Sequence, residues 1–340
     1  MMDCVFVPYT AHGHVNPMLP VVGELVARGH RVRVVLSGTR FEDVVRRTGA
    51  EPVVSPPDHV VRVAPTARPP EIAAWIRNRT HRRLAWSAAA RRCEREFAAA
   101  RPDLVIADPM VPWARRLARR HALPVVTFWT THAGTAAGSG PALVNALPEL
   151  QPRAHRFSFV GPLIAPVTTE DCPAPDGPTL LVSPGTVFAR TPEFFRRIAR
   201  AFSGTEWTVL IATSHTPPSA LGPLPDNVIA RRWLPQRQLL PRVDAFLTHG
   251  GMNSVQEALA HGARMLVAPR SREQRATARR LAELGLAHVW DPATSLVPGV
   301  ERLLRDGRVL ANTTSMRSRL ATYPAASLAA DALQAANGKC

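Results

Sequence analysis

The chain has 340 residues, 46% of them hydrophobic, and carries a formal charge of +16. That length exceeds what one hydrophobic core ordinarily supports and predicts two domains. No uninterrupted apolar stretch reaches the ~20 residues of a membrane span, and the opening MMDCVFVPY lacks both a basic region and a signal-type apolar core. A cytoplasmic protein without stable membrane insertion is expected. Cys4, Cys93, Cys172 and Cys340 are scattered without CxxC spacing, which argues against a zinc site or a disulfide framework. The basic residues occur mostly as pairs on helix-like stretches (Arg91 with Arg92, Arg115 with Arg116, Arg119 with Arg120, Arg279 with Arg280), not as one block. This points to solvated helix faces, not to a nucleic-acid partner. Lys339 is the only lysine, so part of the charge reflects a codon preference for arginine.

Short Val/Leu/Ile runs alternate with longer amphipathic stretches, the pattern of strands and helices winding a parallel sheet. In chain order, CVFVPY (4–9), RVRVVL (31–36), LVIA (104–107) and PVVTFW (124–129) read as strands. Helices are expected over 17–29, 71–100 and 111–121, with residues 56–70 as a surface loop. The pattern repeats in the second half. Strands are expected at 179–184, 207–213, 244–249, 264–269 and 287–291, with helices over 194–202, 254–262 and 273–285. The intervening GPLIAPVTTEDCPAPDGP is proline-rich and aperiodic, a natural linker. The expectation is an α/β protein with two facing Rossmann-like domains and a cleft between them. Their bounds are 1–160, a linker at 161–178, 179–322, and a C-terminal helix at 323–340 returning to the first domain.

Two strand-to-helix corners carry the candidate chemistry. At THGGMNS (248–254), a strand end followed by a helix presents unpaired N–H groups and a positive dipole end, which favours an anion. Gly250 and Gly251 allow close backbone approach there, and His249, Asn253 and Ser254 can donate to phosphate oxygens. Ser254 and Glu257 equally fit an S-x-x-E capping box, which requires no ligand. At the other corner, VPYTAHGHVNPMLP, Asn16 fits an N-cap, Pro17 the first helical position, and Gly29 the helix stop. With neither G-x-G-x-x-G nor an acidic residue closing the next strand, a nicotinamide site is poorly supported. His14 could serve as a general base, with Asp108, at the end of PDLVIAD, as its orienting partner. A solvated loop histidine and a capping aspartate explain each residue equally well.

The motifs HGHVNPML with VARGHRV, PDLVIADPMVPWARRLARRHALPVV, LLVSPGT, LPDNVIARRWLPQRQLL and DAFLTHGGMNSVQEALAHGARMLVAPRSREQ occur in an order that resembles one family across the whole chain. It is that of the inverting, nucleotide-sugar-dependent GT-B glycosyltransferases of macrolide and other natural-product pathways, with the related plant enzymes. The resemblance implies an N-terminal acceptor domain and a C-terminal donor domain binding a UDP- or TDP-sugar. His14 is then the base and Asp108 its orienting partner. His249, Asn253 and Ser254 fall on diphosphate-binding positions, with Thr186 as a further phosphate contact. Trp233 is the aromatic on which the nucleobase stacks, the Leu234 backbone reads the base edge, and Gln236 belongs to the same motif. Glu257 matches a ribose-binding carboxylate, and Glu273 with Gln274 the pair that holds sugar hydroxyls. Trp233 as a core aromatic and Glu273 as a surface helix cap are the structural alternatives.

No D-x-D pattern occurs, so no metal and no cofactor beyond the donor is expected. Between PVVTFW and the FVGP strand, residues 130–158 form a short Ala/Gly/Ser-rich stretch where relatives carry several dozen more residues. This abbreviated acceptor pocket leaves three outcomes open: room for a bulky or polymer-attached acceptor, completion by a partner protein (a second copy in a homodimer or an auxiliary protein), or loss of function. An active transferase on a small natural product is the first reading, and an idle homologue assisting another transferase the second. A sugar-nucleotide epimerase on the same scaffold has no need of the HGHVNP base. Thr277 stands where relatives have an asparagine.

Overall fold

The computed structural model describes residues 1–57, 69–133, 141–151, 157–165, 172, 177–185, 190–291 and 293–338, the side chains of 69–82 excepted. Most of the surface loop expected at 56–70, and parts of the 130–158 stretch and of the linker, lie outside the described residues. The chain divides into two compact units, one of Met1–Pro148, Arg153–Ala165 and Pro324–Cys340, the other of Glu149–Pro152 and Pro166–Tyr323.

The first unit contains β1 (Asp3–Val7), α1 (His12–Val15), α2 (Leu19–Ala27), β2 (Arg31–Ser37), α3 (Glu42–Arg46), β3 (Glu51–Ser55), α4 (Pro69–Ala99), β4 (Leu104–Ala107), α5 (Pro112–Arg120), β5 (Val125–Trp129), β6 (Ala142–Val144) and β7 (Ser158–Phe159). Its seven strands lie in the order β3-β2-β1-β4-β5-β6-β7, every pair parallel. The second unit contains β8 (Thr179–Ser183), α6 (Pro192–Ala201), β9 (Thr208–Ala212), β10 (Val228–Arg231), α7 (Gln236–Leu239), β11 (Ala245–Thr248), α8 (Met252–His261), β12 (Met265–Val267), α9 (Arg272–Glu283), β13 (Ala287–Val289), α10 (Leu296–Arg305) and α11 (Gly307–Ala321). Its six strands run β10-β9-β8-β11-β12-β13, again all parallel. The last helix, α12 (Ala325–Asn337), packs on α2 in the first unit, where Arg28 reaches Asp331, Gln334 and Ser327.

Both sheets thus follow the order 3-2-1-4-5-6, to which the first adds β7 as a seventh strand, and in such sheets ligands bind beyond the carboxyl ends of the strands where the order reverses. The central strands read as unbroken apolar runs because helices cover both faces; β4 (LVIA) and β11 (AFLT) are buried throughout. In the first unit Val5, Val7, Val35, Val53 and Val105 meet Ala89, Cys93 and Phe97 of α4 and Trp113 and Leu117 of α5. Arg116, Arg119 and Arg120 of α5 face solvent while Trp113, Ala114, Leu117 and Ala118 are buried, so these charges form the wet face of an amphipathic helix.

One local expectation is corrected. Asn16 does not cap the first helix: the chain is already helical from His12, with Ala11 at the N-cap, and passes through a 3₁₀ turn at Asn16–Met18 into α2. Pro17 and Pro20 each lack the N–H that a continuous ladder requires, which splits the helix into two pieces. Gly29 does stop α2, with φ +79°.

Candidate active site

In the first unit the order reverses at β1 and β4, and the two residues of the candidate pair follow these strands. The His14 Nδ1 lies 2.7 Å from Asp108 Oδ2. The Asp108 side chain is wholly buried and that of His14 is 16% exposed. The other carboxylate oxygen of Asp108 accepts the Met110 backbone N–H at 2.7 Å, which fixes the carboxylate plane. A carboxylate on Nδ1 assigns the proton of a neutral imidazole to that nitrogen and leaves the Nε2 lone pair as the acceptor. Tyr9 packs its ring edge-on to the imidazole, centroids 5.3 Å apart. Thr130 was not identified from the sequence: its hydroxyl oxygen is 3.0 Å from the same Nδ1, and the residue is 1% exposed. Its signal was positional, a threonine directly after a buried strand, β5, that neighbours β4. The geometry therefore selects an oriented imidazole over the solvated-loop alternative for His14, and a buried partner over the capping alternative for Asp108.

In the second unit the order reverses at β8 and β11, and His249 directly follows β11. Its Nε2 lies between two glycines: a Cβ on Gly185, which follows β8, would sit 2.5 Å from it, and a Cβ on Gly251 would also clash. Gly250 has φ +79°, and a Cβ there would come within 2.7 Å of Val267 Cγ1. The glycines of the motif thus make room for a histidine and a tight turn. Burial, followed by the charge of Arg190, pushes the His249 pKa down to about 4, against the opposing pull of a hydrogen bond to the Ser183 backbone. At neutral pH the imidazole is therefore uncharged, and among the described residues its buried Nδ1 has no hydrogen-bond partner. Because this pKa lies below that of an unfolded histidine near 6.5, the unfolded chain takes up the proton first as pH falls. The associated stability is present above pH 6.5 and is lost toward pH 4. Melting temperatures measured between pH 7 and 4 are expected to fall less steeply for His249→Asn than for wild type; parallel slopes would contradict this.

The structure removes one alternative for Ser254. The N-cap of α8 is Gly251, which has no side chain, and Ser254 is the third helical residue, so the Ser254–Glu257 capping box does not form. Instead Gln236 donates through Nε2 to Glu257 Oε2 at 2.6 Å and stands 3.4 Å from Ser254 Oγ. Three predicted residues from α7 and α8 thus meet in one polar corner, where burial holds the Glu257 carboxyl above its ordinary pKa while Gln236 opposes the shift. Asn253 occupies the second position of α8. Trp233 is 45% exposed, which excludes the core-aromatic reading. The Leu234 carbonyl accepts the Gln236 N–H at 2.8 Å, so that carbonyl is already engaged within the chain.

A capping box does exist, one helix later. Ser271 caps α9, accepting the Gln274 N–H, while Gln274 Oε1 accepts from the Ser271 and Arg270 backbones. The amide oxygen of Gln274 is thereby committed to the main chain. Glu273 is exposed and forms no part of the box. Thr277 is buried and its hydroxyl donates to the Glu273 carbonyl at 3.2 Å. Thr186 lies outside the described residues. Among the described residues no helix is long and apolar enough to cross a membrane.

The sequence and the fold have counterparts among known proteins. Residues 176–300 match the family described as UDP-glucoronosyl and UDP-glucosyl transferase. The chain is 32% identical to the oleandomycin glycosyltransferase of Streptomyces antibioticus over 82% of its own length and 76% of that protein's. It is 29% identical to the NDP-glycosyltransferase YjiC of Bacillus licheniformis over 96% and 95% of the two chains. The crystal structure of the calicheamicin glycosyltransferase CalG4 superposes with a TM-score of 0.78 at 30% identity, covering 100% of this chain and 99% of that one. The alignment to YjiC spans 383 positions, more than the 340 residues available, so the relative carries segments with no counterpart here.

Proposed function

We propose that this chain, which belongs to the GT-B nucleotide-sugar glycosyltransferases related to those of macrolide and other natural products, transfers a sugar from a UDP- or TDP-sugar to a hydroxyl of a small natural product with inversion and without a metal. The observation that carries this is the His14–Asp108 pair at the strand-order reversal, which holds Nε2 free to accept a proton. The acceptor oxygen attacks the anomeric carbon and its proton passes to Nε2. The bond from that carbon to the diphosphate breaks, leaving its electron pair on the phosphate oxygen. The N-terminus of α8, the His249 imidazole, Asn253 and Ser254, with Thr186 as a further contact, hold that diphosphate. Trp233, Leu234 and Gln236 take the nucleobase and Glu257 the ribose. Glu273 and the amide nitrogen of Gln274 take sugar hydroxyls. Donors aimed at a growing negative charge are among the largest single contributors to rate in such sites.

The test has two arms. At a hundredfold its dissociation constant, UDP or TDP should stabilise the protein by about 2.7 kcal/mol, readable as a rise in melting temperature. Incubation with α-configured UDP- and TDP-sugars and a panel of polycyclic and macrolide acceptors should give β-glycosides by NMR. Products with retained configuration would overturn the single-displacement mechanism. The longer alignment to YjiC supports a second reading, an idle homologue that assists an active transferase. That reading predicts nucleotide stabilisation without product until a partner protein is added.

A further inference from the structure

Arg190, at the carboxyl edge of the second sheet, is bound in a way the fold itself does not explain. Its Nη2 donates to the Ala268 carbonyl at 2.7 Å, and the Ala268 N–H donates to the Thr248 carbonyl at 2.8 Å. The guanidinium thus hangs beside the strand end that carries His249, and its charge bears directly on that imidazole. Its backbone is fixed as well: the Arg190 carbonyl accepts the hydroxyl of buried Thr216 at 2.6 Å. The guanidinium carbon stands 4.4 Å from the centre of the Phe194 ring. Phe194 is in turn set edge-on to Phe195 and tilted against Trp290.

Among the described residues, this well-positioned cation has no anionic partner. Its Nε is buried without a hydrogen-bond partner, and among the described residues no carboxylate pairs with it. Arg270, a like charge, joins burial in pushing its pKa down to about 10, and it remains cationic at neutral pH. Arg33 shows how the same protein treats a structural arginine. That side chain, wholly buried in β2, receives Asp3 at 2.9 Å and the carbonyls of Glu96 and Ala100. Holding a desolvated guanidinium without a counter-ion is costly, and a stacked, planar fork beside a helix N-terminus suits a phosphate group that arrives with a ligand.

We infer that Arg190 binds the diphosphate of the nucleotide-sugar donor, stacked on Phe194 and hung from the Ala268 carbonyl beside the His249 turn. The inference rests on the donor site proposed above and adds to it the positive charge that a neutral His249 does not provide. When the bond from the anomeric carbon to the diphosphate breaks, the electron pair stays on the terminal phosphate oxygen and the group gains one negative charge. Arg190 stabilises the product of that step more than the intact donor.

The experiment compares wild type, Arg190→Gln and Arg190→Lys in calorimetric titrations with UDP, TDP, uridine and UDP-glucuronic acid, alongside melting temperatures without ligand. The expected result for Arg190→Gln is a loss of about tenfold to hundredfold in affinity for the diphosphates and an unchanged affinity for uridine. Arg190→Lys keeps the charge and should recover part of the loss, with a ligand-free melting temperature near wild type. Equal losses for UDP and uridine, or none for either, would overturn the inference in favour of a purely structural contact. A loss seen with UDP-glucuronic acid but not with UDP would overturn it in favour of a sugar carboxylate. If wild type itself binds neither UDP nor TDP, the donor site fails first, and this inference with it.

Discussion

Replacing His14 with alanine is expected to lower kcat by about 10²–10⁴-fold, the range that a positioned general base contributes, while leaving the affinity for UDP or TDP unchanged. The pair Nδ1···Oδ2 at 2.7 Å gives the imidazole one orientation, and Thr130 and Tyr9 close two further sides of it. Alanine removes the group that takes the acceptor proton, whereas the residues around β8 and β11 that form the proposed donor site belong to the other unit. Asp108→Asn should act in the same direction, because an amide no longer stabilises the imidazolium formed on proton uptake. Initial rates with a working donor and acceptor, paired with calorimetric titration by nucleotide, measure both quantities. Near-normal turnover in His14→Ala would refute its role as the base. A parallel collapse of nucleotide affinity would show that His14 acts by holding the fold.

The second large effect is expected at Gly185. Its φ of +81° lies in the left-handed region, and a Cβ there would stand 2.5 Å from the His249 Nε2. Gly185→Ala must therefore bear the backbone strain of about 1–3 kcal/mol and also displace an imidazole already confined by Gly251. A lower melting temperature and at least a tenfold loss of nucleotide affinity are expected. Gly204 supplies the control: it has φ +70° and open space within 4 Å of where a Cβ would stand, so Gly204→Ala carries the strain alone. A loss of nucleotide affinity common to both variants would assign the effect to general destabilisation. A loss confined to Gly185→Ala would assign it to the seat of His249.

Much of this arrangement was legible in the residues. Period, length and apolar runs define β1, β2, β4, β5, β8, β9, β11 and β12, because central strands of a covered parallel sheet are continuous hydrophobic segments, and the strand expected at 287–291 contains β13. The edges were harder to see. β3 opens with Glu51 and Pro52, and β6 and β7 span three and two residues, too short to show a period. The helices α3 and α7 are one turn long, and α10 contains both Pro298 and Gly299. Spacing suggested a capping box at Ser254–Glu257 and missed the one that forms at Ser271–Gln274. The backbone decides between them: α8 starts two residues earlier than the serine, while α9 starts directly after it. The meeting of Gln236, Ser254 and Glu257, and the approach of Thr130 to His14, depend on which strands are neighbours. No short-range pattern encodes that.

The attachment of α12 to α2 sets the order in which the protein can mature. Residues 1–148 and Pro324–Cys340 belong to one compact unit, with most of the other unit encoded between them. During synthesis at roughly 5–20 residues per second, about 10–35 s separate the emergence of the first sheet from that of the helix that covers α2. Through that interval Arg28 has neither Asp331 nor Gln334 to reach, and the unit carrying His14 is an incomplete body exposed to chaperones and proteases. The half of the molecule made first is the half finished last.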